Sequence, residues 1–83
     1  MIIQRGTQIA YIPMHAEGDI EHPDVEFGFV TSVVGDMAFC RYWHKGHIGR
    51  LRTLANSEGT YLDDLRPHVT VSLIRIDTML EQM

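Results

Sequence analysis

The 83-residue sequence holds a single cysteine. No disulfide can form within the chain, and one thiol fits a reducing compartment. No apolar run approaches the ~18 residues that a membrane-spanning helix needs. The opening Met1-Ile-Ile-Gln-Arg-Gly6 lacks the basic start and long apolar stretch of a secretory signal. A cytoplasmic location is therefore expected. Basic residues are outnumbered, 7 against 11 acids, for a net charge of −4. That balance argues against nucleic-acid binding by overall field. Walker A, Rossmann, His-Glu-x-x-His and Gly-x-Ser-x-Gly patterns are all missing. Repeats and low-complexity tracts are missing too. The sequence assigns no catalytic residue, no cofactor and no metal, and an enzyme is not expected.

What is present reads as one small domain over residues 1–83. A hydrophobic fraction of 45% is that of a folded protein. A chain this short buries roughly 60–65% of its unfolded surface, so the core must be small. The organising stretch is Glu26 to Trp43. Residues 27–33 and 37–43 are rich in β-branched and aromatic side chains and free of proline, as strands require. Gly35-Asp36 between them suits a tight hairpin turn. Gly28, inside the first of these strands, marks a bulge or a close backbone approach. Phe27, Phe29, Thr31 and Val33 alternate with Val30, Ser32 and Val34. Apolar residues on both sides predict a strand covered on both faces, or one at a barrel corner.

Elsewhere, Thr7–Ile12 reads as a first strand, halted by Pro13. Residues 14–26 show no period and carry turn signals at Gly18-Asp19 and His22-Pro23-Asp24, which predicts a long ordered loop. Residues 44–50 read as a second loop. Leu51–Asn56 reads as a fourth strand and Ser57–Thr60 as a turn. Tyr61–Leu65 reads as one helical turn before Pro67, and His68–Leu73 as a fifth strand. Leu73, Ile76, Leu80 and Met83 fall at helical spacing, which predicts a helix near 74–82. About five short antiparallel strands, a one-turn helix before the last of them and a C-terminal helix make a mainly β chain. The expected architecture is a small SH3-like barrel.

Several of these motifs resemble a family. Small proteins of tailed bacteriophages and prophages share a Gly-Thr opening, a strand ending in Tyr-Ile-Pro, a His-Ala-x-Gly-Asp loop, a His-Pro-Asp, an acidic residue and a Gly-x-Val strand. This chain has Gly6-Thr7, Tyr11-Ile12-Pro13, His15-Ala16-Glu17-Gly18-Asp19, His22-Pro23-Asp24, Glu26 and Gly28-Phe29-Val30. The likeness covers residues 6–43 well and continues thinly through Phe39, Arg41, Tyr42 and Asp64-Leu65. It implies an SH3-like or KOW-like module of phage origin, acting in the bacterial cytoplasm or the infected cell, or carried in the virion. It implies no activity.

Three clusters bear on function. Glu17, Asp19, Glu21, Asp24 and Glu26, with His15 and His22, fall within residues 15–26. Such groups can hold a cation, but the calcium-loop spacing is missing. The favoured reading is that they build the loop, with Asp19 and Asp24 capping turns and His22 bonding locally. The second cluster is His44-Lys-Gly-His47, with a glycine between the imidazoles and a loop around them. Cys40 alternates within a strand and reads as a buried, inert thiol. Neither predicts a zinc site.

The third cluster is basic and aromatic. No acid lies between Asp36 and Glu58, while Arg41, Lys45, Arg50 and Arg52 do, beside Tyr42 and Trp43. Cations interleaved with rings suit single-stranded nucleic acid or a phosphate-bearing partner. The competing reading puts Tyr42 and Trp43 in the core and leaves the cations as a solvated rim. The acidic segment 14–26 and the basic segment 37–57 also make a dipolar surface suited to self-association, with the apolar stripe at 73–83 as a dry contact. The leading expectation is a non-catalytic module that binds a protein partner. Nucleic-acid binding through residues 41–52 is the alternative.

Overall fold

The computed structural model describes residues 2–52 and 57–82. The chain is mainly β, with six antiparallel strands in one sheet and one C-terminal helix. The strands are β1 (Gln8–Tyr11), β2 (Glu26–Val34), β3 (Met37–His44), β4 (His47–Leu51), β5 (Glu58–Tyr61) and β6 (Leu65–Pro67). The helix α1 spans Leu73–Glu81, and short 3₁₀ turns occupy Met14–Ala16 and Leu62–Asp64. The sheet runs β4-β3-β2-β1-β6, and β5 also pairs with β3. β3 therefore divides one edge between two partners, with Met37–Cys40 on β5 and Trp43–His44 on β4. Among the described residues the sheet does not close on itself.

The β2–β3 hairpin forms as the residues dictate. Its loop is Gly35-Asp36, and Gly35 takes a φ of 61°, the conformation a type II′ turn demands of its first residue. Gly28 makes the close approach expected of it. A Cβ there would lie 2.0 Å from the Arg41 carbonyl oxygen, so no larger residue fits without moving β3. The bulge falls three residues later. Val30 pairs with Cys40 and Ser32 with Phe39, which leaves Thr31 unpaired. Its hydroxyl donates to the Phe39 carbonyl at 2.9 Å, and Arg5 donates to the Thr31 carbonyl at 2.8 Å. Side chains thus satisfy what the broken ladder releases. Past the bulge Val33 and Val34 point outward, 37% and 65% exposed.

Both faces of the sheet are covered, which explains the imperfect alternation. On one face Ile9, Val30, Ala38, Cys40, Tyr42 and Leu65 pack together. On the other, Phe29 and Trp43 meet Ile76 of α1, joined by Val71, Met79 and Leu80. The 12–25 loop adds a third cluster of Ala10, Ile12, Ala16 and Val25. Ser72 caps α1 by accepting from the Arg75 N–H at 3.3 Å.

Five expectations need correction. The segment 44–50 is largely strand β4, because a two-residue turn at Lys45-Gly46 lets the chain fold back on β3 at once. Of the strand expected at 51–56, Leu51 belongs to β4, while residues 53–56 lie outside the described residues. The turn expected at 57–60 contains most of β5, whose Gly59 sits against Met37 and Phe39. Residues 68–72 form no strand. Their backbone groups are taken by Gln8 instead. Its carboxamide oxygen accepts from the N–H groups of Thr70 and Val71, both at 2.9 Å, and its NH₂ donates to the Val71 carbonyl at 2.8 Å. The helix expected at 74–82 is found at 73–81, but its buried face is Ile76, Met79 and Leu80. Leu73 is exposed, and Met83 lies outside the described residues.

Candidate binding surface

β3 and β4 carry the basic and aromatic cluster, and the fold divides it. Arg41, Tyr42 and Trp43 are 5%, 4% and 3% exposed. The Tyr42 hydroxyl lies 3.0 Å from Thr60 Oγ1, and Trp43 Nε1 donates to Thr70 Oγ1 at 3.3 Å. Neither ring offers a face for a base to stack on. Burial also pushes the Tyr42 hydroxyl pKa well above its ordinary range.

Two of the cations, Lys45 and Arg52, are engaged within the chain. Arg52 pairs with both Glu26 and Glu58, and its guanidinium lies 5.5 Å from the centre of the Tyr42 ring. Lys45 Nζ donates to the Pro23 carbonyl at 3.1 Å. Arg50 is exposed. The acidic and basic segments therefore meet inside one molecule, with Arg52 and Lys45 each reaching back to residues 23–26. This internal contact weakens the dipole that the linear sequence suggests.

Between those segments lies a groove of about 450 Å³. Its walls are the 20–27 loop and the β3–β4 turn, and Lys45 ties one wall to the other. Val25, Phe27 and Trp43 line it, flanked by the more exposed Ile20 and Ile48, at 36% and 52%. Ile48 contributes because β4 begins at His47, a feature that a loop reading of 44–50 hides. His22, His44, Glu21 and Glu26 add a polar margin.

The 12–25 loop is built from successive turns. Backbone bonds link Ala16 to Pro13, Glu17 to Met14, Asp19 to Ala16, His22 to Asp19 and Val25 to His22, all between 2.9 and 3.1 Å. Asp19 Oδ1 accepts from the Glu21 N–H at 2.9 Å, and His22 Nδ1 accepts from the Asp24 N–H at 3.0 Å. Asp24 directs its carboxylate to His15 Nε2, 2.6 Å away, rather than into a turn cap. That hydrogen bond holds the Asp24 carboxyl below the usual carboxylate range. Cys40 is fully buried, and desolvation pushes its thiol up to about 11. The two imidazoles of His44 and His47 lie 5.6 Å apart, with His44 Nδ1 2.8 Å from the Lys45 carbonyl oxygen.

No protein-family model, no curated protein and no solved structure matches the chain.

Proposed function

We propose that this chain is a non-catalytic binding module of the phage or prophage type that takes a segment of a protein partner into the groove beside Trp43. One observation carries the reading: Ile20 and Ile48, 36% and 52% exposed, share the lining of the groove with Phe27 and the edge of Trp43, both packed into the core. An apolar lining with a polar margin is how a protein receives an apolar anchor from a partner. The SH3-like kinship has support from the covering of both sheet faces and from the one-turn helix before β6. Phage origin rests on the motifs of residues 6–43. Cys40 is too buried and too weakly acidic to act as a nucleophile.

Nucleic-acid binding through residues 41–52 has less support, because Tyr42 and Trp43 are buried and Arg52 is committed to two carboxylates. A display library of random peptides, panned on the protein, tests the main reading. Enriched peptides should carry an apolar anchor and bind Ile48→Glu at least about thirtyfold more weakly, the loss of a contact worth some 2 kcal/mol. Ile48→Glu should leave the melting temperature nearly unchanged, since the side chain is half exposed. Peptides that bind both proteins equally would remove the groove from consideration. A mobility-shift titration with single-stranded DNA covers the alternative, for which binding should weaken steeply with salt and vanish in Arg50→Glu/Arg52→Glu.

A further inference from the structure

His15, His22 and Asp24 each offer one ligand atom, and these atoms all lie within 4.8 Å of one another. Among the described residues this is the one group of three or more such side chains so placed. We propose that they form a surface site for a divalent transition-metal ion, of which zinc is the probe of choice. The site shares His22 with the margin of the groove, but the inference does not rest on what the groove binds.

The donor set decides the class of ion. Two imidazole nitrogens and one carboxylate oxygen suit zinc, nickel or cobalt, whereas calcium and magnesium want oxygen from every direction. Bonds of about 2.0–2.1 Å in a tetrahedron place neighbouring ligand atoms about 3.3 Å apart. The 2.6 Å contact between His15 and Asp24 must therefore open slightly. The widest separation must close by at most about 1.5 Å. His15 and Asp24 are 61% and 55% exposed at their side chains and can rotate toward an ion, while His22 must release the Asp24 N–H that its Nδ1 accepts at 3.0 Å. Three protein ligands leave a fourth position for water.

The backbone beneath is already fixed. Ala16 and Val25 are buried at the two ends of the segment, and the run of turn hydrogen bonds between them sets where residues 15, 22 and 24 stand. Pro23 lies between His22 and Asp24 in the turn closed by the Val25 N–H on the His22 carbonyl, so both ligands rise from one short bend. The imidazoles of His15 and His22 are 5.2 Å apart, edge to face. Glu17, Asp19 and Glu21 lie in the same loop segment. Lys45, anchored at Pro23, opposes a bound cation. The pair His44 and His47 has no such third donor within reach among the described residues.

Titration of the metal-free protein with zinc chloride, followed by calorimetry and by amide NMR shifts, tests the site. One equivalent should bind, with shifts centred on residues 15–24. His15→Ala and His22→Gln should each weaken binding by at least about a hundredfold, the upper end of what loss of a merely supporting partner costs. His44→Ala/His47→Ala should leave it unchanged. These side chains are surface groups, and a retained amide spectrum in each variant separates loss of ligation from loss of fold. Absence of saturable binding at millimolar zinc would overturn the proposal. So would binding that survives both loop variants or disappears with His44 and His47.

Discussion

The carboxamide of Gln8 bonds to three backbone groups of residues 70 and 71 while itself only 4% exposed. Replacing it by leucine keeps the volume but strands two N–H groups and a carbonyl. Unfolding in urea should show Gln8→Leu to be less stable by about 2–4 kcal/mol, since each buried polar group left without a partner costs about 1–3. Nothing in the sequence marks this role. Residues 68–73 alternate well enough to be read as a strand, and one distant amide takes the bonds a strand would have made. Cys40 was legible, because a lone thiol amid strand residues is usually buried. Its burial has a measurable consequence. The unfolded thiol ionises near 9.0 and the folded one near 11, so alkali favours the unfolded chain. Stability should hold below pH 9 and fall between pH 9 and 11, by at most about 1.4 kcal/mol per unit from this group. Tyr42, raised by burial too, extends the fall further into alkali. Urea midpoints across pH would show it, and Cys40→Ala should flatten its first part.

At the level of elements, the hairpin and the helix carried clear signals, and the edge strands did not. β2 and β3 contain long runs of β-branched and aromatic residues around a glycine turn. β4 is His-Ile-Gly-Arg-Leu and β5 is Glu-Gly-Thr-Tyr, segments whose glycines and charges read as loop. They become strands because β3 lends each of them an edge, a tertiary cause that local pattern cannot encode. The helix shows the reverse. Its period was visible, but the face it buries depends on where the sheet lies. Ile76, 1% exposed, is the residue that seats α1 on Phe29 and Trp43. Ile76→Ala should cost about 2–4 kcal/mol in thermal or urea unfolding. Trp43 fluorescence should shift to the red as the helix loosens, whereas Ile74→Ala, on the exposed face, should do neither.

Across the whole molecule, segments far apart in the chain close on one another. β1 lies between β2 and β6, and the acidic segment meets the basic one through Arg52 and Lys45. The candidate surface follows from these closures. The His15, His22 and Asp24 group belongs to the loop after β1, and the groove lies between that loop and the β3–β4 turn. The loop's histidines and acids were visible in the sequence. Their convergence at 4.8 Å was not, since spacing within an aperiodic segment says nothing about which side chains meet.

The anchoring of residues 70–71 by Gln8 also sets an order in time. A nascent chain leaving the ribosome can pair β1, β2 and β3 early, yet the Gln8 amide finds no partner until residue 71 has emerged. Until then one side of β1, and the rings of Phe29 and Trp43 that α1 will shield, stay open to water. The half-made protein is thus the species most prone to stick to its neighbours, and slowing translation over residues 45–70 would lengthen its exposure.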